Sequence, residues 1–250
     1  MTRGQASAAI ESLLLLVDPN TEVEVAICPT YLTIETVSHL LRRSHFLYGA
    51  QNVFWMPSGA FTGSISATML ADAGCSFCIV GHSETRGRFG KLEVPESTLG
   101  YFSETDETIN LKIKSLLYQS IRPILCVGET LAEREAGNTD SVIYDQVKGA
   151  LAGIEPAEYY SGVVAYEPVW AIGTGKTCDS AEANRVCGVV RKAVAEILDA
   201  DAAESVQILY GGSVKSGNAA ELFSQSDIDG GLVGGASLDA EEFSKIVRSA

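Results

Sequence analysis

Short apolar runs alternate along the chain with longer stretches whose apolar residues recur at helical spacing. The apolar runs are rich in β-branched and aromatic residues and end at glycine, proline or polar residues, which is typical of strands. The seven strands predicted in this way cover residues 22–28, 46–54, 76–83, 122–129, 162–170, 205–213 and 228–237.

The amphipathic stretches between the runs predict helices. They include residues 33–43, 106–120, 180–198 and 218–225, and a further helix, "GQASAAIESLLLLV", opens the chain. Asp140 with Ser141, and Ser180, are the predicted N-caps, because short polar side chains accept from the free amides at a helix start. Strands that alternate with helices predict βαβ units and parallel pairing.

Seven strands leave two architectures open, an eight-stranded parallel barrel that lacks its first strand or an open doubly wound sheet. The strand ends favour the barrel, since polar or glycine-rich groups follow several strands and would meet at one rim. These groups are His82-Ser83-Glu84, Gly128-Glu129, Glu167-Pro168, Gly211-Gly212-Ser213 and Gly234-Gly235. The last two follow the final strands, where barrels commonly bind phosphate through backbone amides.

Composition narrows the class of protein. Hydrophobic residues make up 46% and charged residues 20% of the chain, which is typical of a globular protein with a sizeable core. The net charge of −14 argues against nucleic-acid and anionic-membrane partners. No apolar run approaches the length of a membrane span, and the N-terminus does not resemble a signal peptide, so we expect a cytoplasmic protein.

Two motifs suggest chemistry that their context does not support. Cys75 and Cys78 form a C-x-x-C pair, but no second pair at zinc spacing exists, so the six cysteines are predicted to be mainly buried thiols. "AIGTGKT" (171–177) ends like a nucleotide-binding P-loop, but Trp170 stands where that motif needs its first glycine. An ATP site is therefore not predicted.

Six segments together resemble the triosephosphate isomerase family over nearly the whole chain. They are "GAQNV…SGAFTGSIS" (49–66), "IVGHSE" (79–84), "PILCVGETLAEREAG" (123–137), "AYEPVWAIGTGKT" (165–177), "ILYGGSVK" (208–215) and "DGGLVGGASL" (229–238), in the family's order. The resemblance implies one domain, residues 1–250, folded as a TIM (β/α)8 barrel whose first strand is apparently missing from this chain.

The resemblance also implies an activity, the interconversion of dihydroxyacetone phosphate and glyceraldehyde 3-phosphate through an enediolate. Glu167 matches the family's catalytic base and His82 its electrophile, and Glu84 resembles a supporting carboxylate. The resemblance implies that His82 lies at the N-terminus of a short helix, which would hold its imidazole neutral. A base, an electrophile and the exclusion of water suffice for this reaction, so no metal or organic cofactor is expected.

Four positions match the family's phosphate site. Ser213, Gly234 and Gly235 would bind the phosphate, and Gly173 would join them when the flexible lid at 171–177 closes. Lys176 is expected to anchor the edge of the lid rather than to bind substrate.

The sequence departs from the family at its start. The family's first strand ends in Gly-Asn-Trp-Lys, whose Asn and Lys reach into the site, whereas Met1-Thr2-Arg3 here leads directly into the first helix. Loss of that lysine would lower the rate by several orders of magnitude. Either Met1 is an internal methionine of a longer natural chain, or the truncation is real and the product is a catalytically impaired or inactive homologue that binds phosphorylated trioses or acts structurally.

A second departure follows His82, where residues 91–103, "KLEVPESTLGYFS", are inserted on the rim and are expected to cover the site or the dimer contact. Thr85 also stands where the family usually has an arginine. One hypothesis is that Lys91 replaces the missing first-strand lysine, but we disfavour it. A phosphate-binding lyase or synthase would need a Schiff-base lysine or other new groups at the rim, and the sequence shows none.

The resemblance implies a homodimer. Thr62 lies in "SGAFTGS", which is similar to the family's long third loop that inserts into a neighbouring subunit. The preceding "FWMP" (54–57) is apolar enough to prefer burial against a partner. Since the family's loop braces the partner's first-strand region, the stability of the dimer is an open question.

Overall fold

The computed structural model describes residues 1–91, 94–174 and 176–250. Leu92 and Glu93, in the predicted insertion, and Gly175, in the predicted lid, lie outside the described residues. Seven strands form one parallel sheet in which each strand pairs with the next along the chain. They are β1 (Ala26–Ile27), β2 (Leu47–Ala50), β3 (Phe77–Val80), β4 (Arg122–Val127), β5 (Val163–Tyr166), β6 (Gln207–Tyr210) and β7 (Gly230–Gly231). Each lies within a predicted strand, so the seven strands and their parallel order are confirmed.

Helices connect the strands and cover the outer face of the sheet. Those described are α1 (Arg3–Leu16), α2 (Ile34–Leu41), α3 (Ala67–Asp72), α4 (Asp106–Tyr118), α5 (Leu131–Glu135), α6 (Thr139–Ala150), α7 (Pro156–Tyr159), α8 (Ser180–Ile197), α9 (Ala200–Ser205), α10 (Ala219–Phe223) and α11 (Ala240–Val247). Every helix predicted from the pattern is present. Among the described residues, the structure contains no helix with the length and apolar character that crossing a membrane requires.

The predicted N-caps were wrong by one or a few residues. Asp179, rather than Ser180, caps α8, and its carboxylate accepts from the amide of Glu182 at 2.8 Å. A carboxylate at this position also interacts favourably with the helix dipole. Asn138 precedes α6 and accepts the first helical hydrogen bond through its carbonyl, so Asp140 and Ser141 lie in the first turn.

The sheet is strongly curled, as a barrel lacking one strand requires. Arg122, at the start of β4, donates to both carboxylate oxygens of Glu24, beside β1, at 2.8 and 3.1 Å, and to Gln207 of β6 at 2.6 Å. Strands β1 and β4 are three positions apart, and neighbouring strands lie about 4.8 Å apart, so a flat sheet would not allow these contacts. The two outermost helices, α1 and α11, pack against each other.

The main core lies between the sheet and the helices. All four residues of β5 are buried, and β4 is buried beyond Arg122, as expected for parallel strands covered on both faces. Cys75, Cys78, Cys126 and Cys187 are buried, as predicted for structural thiols, whereas Cys28 and Cys178 are half-buried. The same curl that closes the sheet at Arg122 brings the carboxyl ends of the strands around one opening, where the predicted site residues lie.

Candidate active site

His82 and Glu167 meet at the carboxyl ends of two strands. His82 follows β3 and Glu167 directly follows β5, and His82 Nε2 lies 2.9 Å from Glu167 Oε1. Between them, Gly128 directly follows β4, and a side chain there would overlap the carbonyl oxygen of Glu167. Gly81, just before His82, has φ of +67°, a conformation that favours glycine. The local sequence therefore turns the imidazole towards the carboxylate and lets the backbone at Gly128 and Glu167 pack closely.

The hydrogen bonds of His82 indicate which ring nitrogen carries the proton. Nδ1 lies 3.3 Å from the backbone nitrogen of Glu84, whose N–H donates to it. Because Nδ1 accepts, a neutral ring has its proton on Nε2, which faces Glu167. The Glu84 carboxylate itself is largely exposed and lies 3.8 Å from Nδ1. Its predicted supporting role stays a prediction, while its amide has a defined contact.

Glu167 is held by the residue after His82. The side chain of Glu167 is 2% exposed. Its Oε2 accepts from the backbone N–H of Ser83 at 2.9 Å, and its Oε1 lies 3.4 Å from the Ser83 hydroxyl. A buried carboxylate needs such donors. Release from Ser83 and His82 would free both oxygens to face a ligand.

Opposing influences act on the pKa of His82. Burial lowers it, because a charged imidazole is disfavoured away from water, whereas the hydrogen bond and charge of Glu167 and the charge of Glu84 raise it. The carboxylates outweigh burial, so the pKa is raised from its ordinary value. The Glu84 amide opposes protonation, since it donates to Nδ1. A ligand that replaced Glu167 at Nε2 would remove the largest raising influence and favour the neutral ring.

One cavity of about 1760 Å³ brings the predicted site residues together. Its lining includes all seven of them, His82, Glu84, Glu167, Gly173, Ser213, Gly234 and Gly235. It also includes Lys215, the one lysine or arginine among the described lining residues. The structure thus places the predicted acid–base pair and the predicted phosphate-binding positions around a common space.

The predicted phosphate-binding positions offer backbone amides. Within the described part of the chain, the N–H groups of Ser213, Gly234 and Gly235 donate to no other residue. A Cβ at Gly234 or Gly235 would meet nothing within 4 Å, so these positions are open to the cavity. The Gly234 carbonyl, in contrast, accepts from the Ser237 amide and hydroxyl at 2.9 and 2.6 Å. The turn is therefore fixed while its amides stay available to an anion.

A buried carboxylate holds the base of the predicted lid. The indole N–H of Trp170 donates to Glu129 Oε1 at 2.8 Å, and the Tyr166 hydroxyl lies 3.2 Å from the same oxygen. Arg134 lies over the Trp170 ring at 4.5 Å. Burial raises the pKa of Glu129, although the Trp170 and Tyr166 hydrogen bonds oppose it. Lys176, predicted to anchor the lid, is exposed, and its amide donates to the Thr174 hydroxyl.

The start of the insertion lies against the lid. Gly90 packs so closely that a Cβ there would overlap the carbonyl oxygens of Val169 and Ile172. Lys91 is exposed, and its Cβ would lie 3.9 Å from a Cβ built on Gly173. The rest of the described insertion contains one short 3₁₀ helix, Glu96–Tyr101, with its side chains largely exposed. The insertion therefore borders the site on the side of the lid.

Sequence reasoning did not assign roles to several residues that contact this site. Ser83 directly follows His82 at a strand end, which places it on the rim, but its contact with Glu167 joins residues 84 positions apart. Glu129 was noted only as a carboxylate at a strand end. Trp170 was noted only as a mismatch to the P-loop motif. Their contact joins two segments 41 positions apart, and no local signal in the sequence indicates it.

Replacement of Gly90 by Ala is expected to push the base of the lid away. The new methyl group would overlap two carbonyl oxygens, and overpacking of this kind costs about 1–3 kcal/mol. Urea unfolding should show a free energy of unfolding lower by that amount. Gly100→Ala is the matched control in the insertion, because nothing lies within 4 Å of a Cβ there. Equal stability of the two variants would contradict this packing.

Replacement of Glu167 by Gln is expected to lower the pKa of His82, since it removes the largest raising influence. NMR titration of the imidazole resonance that disappears in His82→Asn measures this pKa. The pKa of His82 is raised in the folded state, so protonated His82 stabilises the fold fully when the pH is below the ordinary pKa of histidine. That contribution is lost as the pH rises through the raised, folded-state pKa. Glu84→Gln should lower the pKa less. An unchanged pKa in Glu167→Gln would refute the assignment.

Comparison with known proteins supports, along the whole chain, the family resemblance seen in the sequence. The family model described as Triosephosphate isomerase matches residues 1–250. A triosephosphate isomerase of Trichlorobacter lovleyi is 47% identical over 247 residues, which cover 99% of this chain and 93% of that protein. Those of Chloroherpeton thalassium and Endomicrobium trichonymphae are each 46% identical, with the same coverage. With a family match over its full length and relatives of this identity, the chain belongs to the triosephosphate isomerase family.

Proposed function

We propose that this chain catalyses the interconversion of dihydroxyacetone phosphate and D-glyceraldehyde 3-phosphate by proton transfer through an enediolate. The observation that carries the proposal is the approach of His82 Nε2 to the Glu167 carboxylate, 2.9 Å apart, within a cavity lined by free backbone amides. This arrangement supplies a base, a hydrogen-bond donor and an anion site within reach of one small molecule. Membership of the family supports the same reaction.

Substrate binding begins with displacement of the contact between the two side chains. The substrate oxygens take the place of Glu167 at Nε2, and the carboxylate leaves the Ser83 amide to face the carbon skeleton. The imidazole is then left with its proton on Nε2 and with Nδ1 accepting from the Glu84 amide. In this state it donates a hydrogen bond to the substrate carbonyl oxygen.

The proton moves between two neighbouring carbons. Glu167 removes a proton from C1 of dihydroxyacetone phosphate, and the electron pair of the C–H bond forms the C1–C2 double bond. The C2 carbonyl oxygen gains the negative charge, which the Nε2–H of His82 stabilises. Protonated Glu167 then returns the proton to C2. The C2 oxygen takes the proton of His82 Nε2, and Nε2 regains a proton from the C1 hydroxyl as the C1 oxygen becomes the aldehyde oxygen. No electron acceptor is needed, because the substrate is oxidised at C1 and reduced at C2.

The phosphate fixes the position of the reacting carbons. The amides of Ser213, Gly234 and Gly235 would bind its oxygens, and Gly173, with φ of +69°, would present its own amide as the lid closes. Closure also excludes water from Glu167, which strengthens its electrostatic interactions and protects the enediolate. Fixed orientation of this kind accounts for a large share of the barrier reduction in enzymes.

Replacement of Glu167 by Gln is expected to lower kcat about 10²–10⁴-fold, the contribution of a positioned general base. His82→Gln is expected to lower it about 10²–10³-fold, the effect of one lost oxyanion donor. Turnover of D-glyceraldehyde 3-phosphate, coupled to reduction of the product by NADH, measures both. Glu196→Gln, on the outer face of α8, is the matched control and should retain the activity of the unmodified chain.

Solvent deuterium provides a second measurement. Product formed in D₂O should carry deuterium at the carbon that receives the proton, because the carboxylic acid of Glu167 exchanges its proton before returning it to carbon. Absence of turnover of either triose phosphate by the unmodified chain, or undiminished turnover by Glu167→Gln, would refute the proposed function.

We further propose that the chain forms a homodimer through the loop at residues 54–65. Phe54 closes the base of the loop, since its amide donates to the Ile65 carbonyl at 2.8 Å. Its ring packs on that of Phe61, with centroids 4.7 Å apart. Even so, Phe61 is 42% exposed and Met56 is 40% exposed. An ordered loop that presents apolar side chains to water is typical of an interface.

Light scattering during size exclusion is expected to show a dimer for the unmodified chain. Phe61→Asp should raise the dissociation constant at least about 100-fold, because burial of a Phe side chain contributes about 1.5–3 kcal/mol and the substitution occurs in both subunits. Tyr118→Asp, at an exposed aromatic position at the end of α4, is the control and should stay dimeric. An unmodified chain that is monomeric at micromolar concentration would contradict the dimer.

The proposed reaction assigns the protein to glycolysis and gluconeogenesis, where the two triose phosphates are interconverted. We therefore propose a cytoplasmic location, in agreement with the expectation from the sequence. Phosphorylated trioses are its proposed small-molecule partners.

A further inference from the structure

Thr85 connects the backbone of His82 to a buried ion pair. Its hydroxyl lies 2.8 Å from the His82 carbonyl oxygen and 2.8 Å from Glu104 Oε2. The His82 carbonyl also accepts from the amides of Thr85 and Arg86, at 2.9 and 3.1 Å. The turn that carries the imidazole is therefore tied at its first carbonyl, three residues before Thr85.

The Thr85 hydroxyl faces two acceptors and has one proton to donate. A carboxylate attracts that proton more strongly than a neutral carbonyl does. If the proton went to Glu104, the hydroxyl oxygen and the His82 carbonyl would face each other without a hydrogen between them. The charge on Glu104 therefore decides whether Thr85 holds His82.

Lys112 satisfies Glu104 from the other side. Its ammonium group forms an ion pair with Glu104 Oε1 and donates to Asn52 Oδ1 at 2.7 Å. Both partners are well shielded, since their side chains are 6% and 14% exposed. The ion pair with Lys112 offsets the charge of Glu104 and so weakens its competition for the Thr85 hydroxyl proton, which leaves the His82 carbonyl as an acceptor. The contacts thus run from Asn52, after β2, through α4 to His82.

The loop also has a separate brace, so that loss of the Thr85 hydroxyl would not unfold it. Arg86 donates to the Gly81 carbonyl at 2.6 Å and to the Cys126 carbonyl at 3.1 Å, and it pairs with Asp106 at 2.5 Å. The backbone amide of Glu104 in addition donates to the Thr85 carbonyl at 3.1 Å. These contacts do not involve the Thr85 side chain.

We propose that Thr85 is a positioning residue for His82, whose hydroxyl, oriented by the Glu104–Lys112 pair, holds the turn in the geometry that places Nδ1 on the Glu84 amide and Nε2–H towards the substrate. Thr85 touches neither the substrate nor the reacting atoms. It acts through the His82 backbone. This inference rests on the proposed isomerase function where it concerns turnover.

Thr85→Val, which keeps the shape of the side chain and removes the hydroxyl, tests the inference. We expect kcat for D-glyceraldehyde 3-phosphate to fall about 3- to 10-fold, the effect of one net hydrogen bond, with KM within about twofold. Thr85→Ala should lower kcat similarly, so that either variant that folds suffices. Thr85→Ser keeps the hydroxyl and should retain most of the activity.

Thr98→Val is the matched control. The Thr98 hydroxyl also donates to the carbonyl three residues before it, at 2.7 Å, but in the exposed insertion. Its removal should leave kcat and KM unchanged. Thermal unfolding of all variants shows which of them are folded.

The ¹⁵N chemical shifts of the His82 imidazole provide a readout that does not depend on turnover. In the unmodified chain Nδ1 should show the shift of an unprotonated nitrogen, and in Thr85→Val it should move towards that of a protonated one. Unchanged kcat and unchanged shifts in folded Thr85→Val would overturn the inference. So would an equal loss of activity in Thr85→Ser, which would assign the effect to methyl packing. If the unmodified chain lacked isomerase activity, the proposed function would fail, but the shifts would still decide the role of Thr85.

Discussion

The geometry of the site depends on the absence of a side chain at Gly128. This residue directly follows β4, the strand between β3, which leads to His82, and β5, which leads to Glu167. A Cβ there would overlap the Glu167 carbonyl oxygen, so any other residue would force β4 and β5 apart. Gln146 of α6 binds the amide and the carbonyl of Gly128 with its own side-chain amide, at 2.8 and 3.1 Å. The helix thus satisfies the buried backbone groups at the strand end, and His82 and Glu167 can approach across the remaining gap.

Most of the fold followed from periodicity and composition. Valine-rich runs such as that of β5 are buried on both faces, so the sequence signal for a parallel strand was strong. The outermost strand β7 is only two glycines long, and its prediction over 228–237 was correct in place but too long. The start of α8 was predicted correctly at residue 180, but its cap was misassigned, since Asp179 and Ser180 are both good caps and only the structure shows that the Asp179 side chain accepts the bond.

The sequence was less informative about how the site residues contact one another. The identities of His82 and Glu167 came from motifs, but their distance depends on the curl of the sheet, which long-range contacts such as that of Arg122 with Glu24 maintain. Glu84 was predicted to act through its carboxylate, whereas its amide makes the closer contact with the ring. Thr85 was noted only as a departure from the family, because a hydroxyl that bonds its own turn and a distant carboxylate has no signature in the sequence.

The contact between His82 and Glu167 fills the centre of the site with the protein's own side chains. Any molecule that enters must first separate an imidazole from a shielded carboxylate, and the three-carbon skeleton alone offers few atoms with which to do so. In the proposed reaction the phosphate group would therefore have a second task besides anchorage, since its attraction to the amides would supply the free energy that opens the pair. Selectivity for phosphorylated over plain trioses would in this way appear in the rate of reaction as well as in affinity, although the phosphate lies away from the bonds that change.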